Sequence, residues 1–209
     1  MSDPDAVGLC MDELISALPR LEDGWPLLNS QLEERFSITD TPLFEYEEFL
    51  ESYAQFRDWL TSILEETPVP KNVEGVVFSV FESEDGLELY LAGASGADEH
   101  ANGEHLRPDT IEMFPDVSFA ALDIYRDISS LHEEYPEAAR YLALALPVVY
   151  LAEFISESSD NIEMLLRKKG ILVRHREELQ LSTGFDEEPP YPFATLTQAG
   201  LSSIAQLRN

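Results

Sequence analysis

The segment from Tyr141 to Ala152 carries no charged residue across 12 positions, between Arg140 and Glu153, in a chain whose formal net charge is −28. A bilayer span needs roughly 20 consecutive apolar residues, so this stretch predicts a helix buried in a protein core rather than in lipid. The rest of the chain must then be arranged to cover it. The means are present, since 44% of the 209 residues are hydrophobic and 10% aromatic. A chain of this size buries a large core without disulfides, and disordered acidic chains lack such a supply of large apolar residues. The helix that holds the segment is expected to open at Tyr135-Pro136-Glu137 and run to about Ser158. Pro147 is expected to kink it.

The first third of the sequence also reads as helical. A short amphipathic helix is predicted over Leu9–Leu18, ended by Pro19, and a second from Trp25-Pro26 to Phe36. A third is expected to start at Thr41-Pro42, an N-cap followed by proline at the first helical position. In it Tyr46, Phe49, Leu50, Tyr53, Phe56, Leu60, Ile63 and Leu64 recur at three- and four-residue steps. The period changes at Val73. Val73–Phe81 and Leu87–Ala92 read as strands joined by a turn at Glu84-Asp85-Gly86. A polar loop, Gly93–Asp109, follows, then an ambiguous but helix-favouring stretch at Ser118–Leu131. A short helix is predicted at Ile162–Lys169, with Gly170 as its C-cap. Strands are expected at Ile171–Arg174, Leu179–Ser182 and Phe193–Leu196, and a terminal helix at Gln198–Leu207. The expectation is one α+β domain over residues 1–209, with Thr67–Lys71 as the best sub-boundary. Its helical N-terminal third precedes a small, mainly antiparallel sheet packed against further helices.

Charge is unevenly placed. Residues 1–66 carry a net −13 and residues 67–136 a net −12, whereas residues 137–209 carry only −3. Five of the 13 basic residues fall between Arg167 and Arg176. Such acidity argues against DNA, RNA or an anionic membrane as partner and favours basic proteins. On the third helix Glu47, Glu51, Asp58 and Glu65 lie within about 40° of one another, opposite the apolar face, with Glu48 to one side. This stripe reads either as a solvated face or as a surface that meets a basic partner. Arg57 is expected to lie elsewhere on the helix.

Catalytic signatures are absent: there is no Gly-x-Ser-x-Gly, no glycine-rich phosphate loop, no His-Glu-x-x-His and no pair of cysteines. The lone Cys10 excludes an intramolecular disulfide and suits a reducing compartment. The N-terminal Met1-Ser2-Asp3-Pro4-Asp5 is acidic and no apolar region follows it, so a cytoplasmic location is expected. Asp98, Glu99, His100, Glu104 and His105 fall within eight residues of the polar loop. Carboxylates and imidazoles ligate divalent metals, but His-x4-His is no zinc signature, and a solvated loop is the simpler reading. No cofactor is expected.

Two segments resemble small bacterial immunity proteins that neutralise toxins used in contact-dependent competition. One is Leu89-Tyr90-Leu91-Ala92-Gly93 leading into an acidic loop; the other is Gly184-Phe185-Asp186-Glu187-Glu188 after a strand. The resemblance implies a non-enzymatic inhibitor that occludes the basic active site of a partner toxin, with Tyr46 or Trp59 as anchors if exposed. Two alternatives remain open. One is a secretion chaperone or adaptor for a basic or partly unfolded effector, which needs an exposed apolar groove. The other is a metal-assisted hydrolase using the 98–105 loop.

Overall fold

A computed structural model describes residues 6–38, 45–70, 73–83, 86–94, 97–98, 105–106, 111–113, 119–167, 177–186 and 188–207. Three helices lead: α1 (Ala6–Ala17), α2 (Leu21–Phe36) and α3 (Tyr46–Glu66). Strands β1 (Gly75–Ser83) and β2 (Gly86–Ala94) form a hairpin, followed by the two-residue strands β3 (Ala97–Asp98) and β4 (His105–Leu106), then β5 (Ile111–Met113) and β6 (Phe119–Ala120). Helices α4 (Asp123–His132), α5 (Pro136–Glu157) and α6 (Ser159–Leu166) come next. The chain closes with β7 (Glu178–Phe185), β8 (Tyr191–Thr197), β9 (Gly200–Ser203) and α7 (Ile204–Leu207). The architecture is α+β, as the sequence predicts.

The main sheet has seven strands in the order β5-β2-β1-β7-β8-β9, with β6 also paired to β2. All of its pairings are antiparallel except β1 with β7, which run parallel in the register Val76↔Leu181 and Phe78↔Thr183. One face carries Val76, Phe78, Val80, Leu89, Leu91, Leu181 and Phe193 into the same buried cluster as α5. The opposite, outer face has its own small cluster of Val77, Tyr90, Ala92 and Ala94. Leu64, Val69 and Val73 belong to the helix-side cluster, which therefore continues across segment 67–71.

Helix α5 is the centre of this arrangement. All twelve residues from Tyr141 to Ala152 are buried, and α1, α2, α3, α4, α6, β1, β7 and β9 all touch the helix. A helix that is apolar on every side can only be satisfied by cover on every side. Aromatic packing supplies part of it: Phe49, Tyr53 and Phe56 of α3 ring Tyr150 at centroid distances of 5.2, 5.7 and 5.5 Å. Phe56 also reaches Phe78 of β1 at 5.8 Å. Gly24 of α2 lies so close to Val149 that an added Cβ would fall 2.5 Å from a Val149 methyl. Buried Gln31 of α2 accepts from the Tyr141 hydroxyl and donates to Glu13 of α1 at 3.0 Å, so its amide is satisfied at both ends.

Pro147 sits inside α5 without ending it. Proline has no N–H, so it cannot donate to the carbonyl four residues earlier, that of Ala143. The Tyr125 hydroxyl of α4 donates to that carbonyl at 2.8 Å, and both groups are buried. The orphaned acceptor of one helix thereby positions its neighbour. At the other end of α5, Glu153 receives two hydrogen bonds from Arg20, at 2.7 and 3.1 Å, and one from the Leu21 backbone amide at 3.2 Å. Glu153 therefore serves as a cap donated in trans to the first turn of α2. The Arg20 hydrogen bonds, helped by the Leu21 amide, hold the Glu153 carboxyl below its ordinary pKa against the opposing effect of burial.

Four sequence expectations change. Helix α2 begins at Leu21, so Pro26 lies within it rather than at its start; the carbonyl to which Pro26 cannot donate belongs to exposed Glu22. Helix α3 begins at Tyr46, where the Glu45 and Glu48 side chains form a capping box. The expected terminal helix is split by β9. Thr197 Oγ1 accepts from the Ala199 amide at 3.2 Å, and Gly200 has φ +118, a turn no helix continues. The stretch at 118–131 divides into β6 and α4. Thr41, Pro42, Glu84, Asp85, Gly170 and the strand expected at 171–174 lie outside the described residues.

Tyr125→Phe is expected to lower stability by about 1–3 kcal/mol, the cost of a buried unbonded carbonyl. In a Pro147→Ala background most of that loss should vanish, because residue 147 then supplies the missing N–H. Urea denaturation of the four proteins in the cycle checks this, and an equal loss in both backgrounds would exclude the carbonyl as cause. Glu153→Gln should show a pH signature as well. A carboxyl whose folded pKa is depressed stabilises fully above its unfolded pKa and loses that contribution as pH falls through the folded value. The stability gap between the parent protein and Glu153→Gln should therefore be open at neutral pH and close in acid.

Candidate functional site

Helix α3 presents the acidic stripe. Its buried row, Phe49, Ser52, Tyr53, Phe56, Leu60, Ile63 and Leu64, faces the core, so the 3.6-residue period turns Glu47, Glu51, Asp58 and Glu65 outward. All four are exposed, as is Glu48. From Glu47 to Glu65 the stripe rises through 18 residue steps, about 27 Å at 1.5 Å per step. The helix is fixed at three points. The Glu48 carboxylate takes the Glu45 amide at 2.9 Å. Gln55 exchanges hydrogen bonds with the Asp123 carboxylate and amide at 2.8 and 3.0 Å, tying α3 to the start of α4. At the C-terminal end, Arg167 donates to the Leu64 carbonyl at 2.9 Å, a favourable cation at the negative end of the helix dipole.

These contacts sort the predicted residues. Glu48 spends part of its acceptor capacity on the capping box. Asp58 is engaged by its neighbour: Arg57 lies off the stripe on the helix, as expected, but its Nη2 reaches to 3.2 Å from Asp58 Oδ1. A long, flexible stem lets an adjacent residue fold its guanidinium back over a carboxylate. Among the described residues, no basic side chain pairs with Glu47, Glu51 or Glu65. Leu50 departs from its expected place in the buried row. It is 38% exposed, beside Glu47 and Glu51, and so places an apolar contact in the stripe. Tyr46 and Trp59 are half-buried and packed against the core. Tyr46 meets Trp25 edge-on at 5.5 Å, and Trp59 meets Phe56 at 5.7 Å.

The acidic loop yields less. Asp98 and His105 are register partners in the β3–β4 ladder, so the backbone brings the two ends of that loop together. Glu99, His100 and Glu104 lie outside the described residues. Among the described residues, no group of three or more His, Cys, Asp or Glu is placed to hold a metal ion. Cys10 is fully buried, and burial pushes its thiol up to about 11, so it carries no thiolate at neutral pH. Lys168, Lys169, Arg174 and Arg176 of the basic run lie outside the described residues.

Comparison of the chain with protein-family models, with characterised proteins and with solved structures finds no match.

Because the stripe is exposed and its members make few contacts, the variant Glu47→Gln/Glu51→Gln/Asp58→Asn/Glu65→Gln should fold like the parent. Its stability should lie within about 1 kcal/mol of the parent's. At low salt it should gain a few tenths of a kcal/mol from relief of the Glu47–Glu51 repulsion. Circular dichroism with urea denaturation at two salt concentrations checks both, and a large loss would mean the carboxylates hold the fold.

Proposed function

We propose that the protein is a non-enzymatic acidic binding protein of the immunity type, acting in the cytoplasm to occlude the basic active site of a partner toxin. One observation carries this reading: among the described residues Glu47, Glu51 and Glu65 have no basic partner along one rigid helix face, while five arginines are bonded elsewhere. Arg20 is tied to Glu153, Arg57 to Asp58, Arg126 to Asp123 and Arg140 to Glu188, and Arg167 caps α3. A carboxylate row about 27 Å long on a fixed helix matches the cationic groove of an enzyme that binds a polyanion. Such a surface speeds association by electrostatic steering and excludes substrate by charge and bulk. Leu50 supplies an apolar contact within the row.

The test is binding to the purified product of the neighbouring gene, by calorimetry at low and at physiological salt. The expected outcome is one-to-one binding to a basic protein whose affinity falls at least tenfold as salt rises across the Debye-length range. The four-site neutral variant should lose most of that affinity and of the inhibition. A neutral or acidic partner, or affinity indifferent to salt and to the variant, would overturn the reading.

A further inference from the structure

The outer face of the sheet carries a second surface, of different chemistry. Phe81 of β1 and Phe119 of β6 are each 36% exposed, unusual for phenylalanine in a well-packed sheet. Their rings meet across β2 with centroids 6.0 Å apart, and Phe119 packs edge-on against Tyr90 at 5.7 Å. The register puts a carboxylate on either side of Phe81. Glu88 is its cross-strand partner on β2, hence on the same face. Asp186 follows the Val80↔Phe185 pair on β7 and donates its amide to the Val80 carbonyl at 2.9 Å. The Asp186 carboxylate accepts from the Tyr90 hydroxyl at 2.8 Å, which fixes it on this face, and Asp186 is exposed. No cation of the described residues pairs with Glu88 or Asp186.

An aromatic surface flanked by two carboxylates is a receptor for a planar cation. The protein builds the same combination internally nearby. The Arg140 guanidinium lies 4.6 Å from the Phe185 ring centroid while its two terminal nitrogens bond Glu188. At Phe81 and Phe119 the rings and the carboxylates are present, and none of the described residues supplies a guanidinium.

We propose that the Phe81–Phe119 pair, with Glu88 and Asp186, is a docking site for an arginine side chain of a basic partner protein. Arginine is favoured over lysine because its flat, weakly hydrated guanidinium stacks on rings while its edge bonds carboxylates. The choice of occupant rests on the reading of a basic partner given above; the chemistry of the site does not.

The experiment is a two-dimensional NMR titration of the full chain with three blocked tripeptides, acetyl-Gly-X-Gly-amide, in which X is arginine, lysine or citrulline. The arginine peptide should shift amides of residues 79–82, 86–90, 119–120 and 184–186 saturably, more strongly than lysine, and citrulline should shift none of them. Phe81→Leu and Phe119→Leu keep apolar bulk but remove the ring, and each should weaken the arginine effect by about threefold. Glu88→Gln/Asp186→Asn, which preserves shape and the Tyr90 bond, should abolish the preference for charged peptides here, so the test survives a folding defect in the Leu variants. Equal shifts from arginine and lysine, shifts spread over α3 and the sheet alike, or indifference to the Gln/Asn variant would overturn the site. Docking here by the arginine peptide in a protein that fails to bind its neighbouring gene product would support the site and remove only the partner reading.

Discussion

The hydrogen bond from Tyr125 to the Ala143 carbonyl holds together a helix that the rest of the molecule is built to enclose. A helix as apolar as α5 gains its stability from tertiary cover, since burial contributes roughly 25 cal/mol per Å² of apolar surface. A proline in its middle removes one backbone bond at the deepest point of that core. Water cannot reach the carbonyl, so another part of the chain must supply a donor, and a tyrosine on α4 does so without introducing a charge. Two further contacts around α5 follow the same logic: Gln31 joins Tyr141 to Glu13, and Glu153 takes Arg20 and the Leu21 amide.

What could be read from the sequence depended on whether the signal was local. The uncharged run at 141–152 and the three- and four-step spacing of Phe49, Tyr53, Phe56, Leu60 and Ile63 report a periodic burial pattern, and both helices are where that pattern puts them. Boundaries set by side-chain competition were less legible. Thr41-Pro42 is a good helix start in isolation, but Glu45 and Glu48 cap each other and define the start at Tyr46. Gln198–Leu207 has helical composition, yet Gly200 at positive φ turns the chain back as β9. The parallel pairing of β1 with β7 joins residues about a hundred positions apart, and no local spacing encodes it. The acidic stripe was legible because helical geometry alone orders it; the exposure of Leu50 and the fold-back of Arg57 were not, because neighbouring elements and rotamers decide them. The pairing of Phe81 with Phe119 was hidden for the same reason as the parallel pairing, since β2 stands between their strands.

The distribution of charge follows from the same enclosure. Each arginine that bonds a carboxylate or carbonyl across elements, Arg20, Arg140 and Arg167, ties a helix or strand end to its neighbour. With so few bases, their use as internal ties leaves most carboxylates uncompensated on the surface. The large negative charge is thus not spread evenly over solvent. On α3 it is held on a rigid face, where repulsion between fixed charges costs the fold a little and the approach of a cation removes that cost.

The two acidic surfaces meet at one edge of the sheet. Strand β6 contacts α3, and its two residues face opposite ways: Ala120 joins the helix-side core while Phe119 lies outward against Tyr90. Under the proposed function, a partner seated along α3 would therefore find Phe119 of the Phe81–Phe119 pair on a strand that α3 itself contacts. The surfaces differ in range. Fixed carboxylates on α3 act over about 10 Å at 0.1 M salt and would orient the proposed cationic partner without selecting among its residues. The aromatic pair would act only at contact, where a ring and two carboxylates can distinguish guanidinium from ammonium. In the proposed reading, steering by one surface and selection by the other would need no conformational change in this chain, and each would fail in its own way: loss of the stripe would slow association, and loss of the ring would hasten departure.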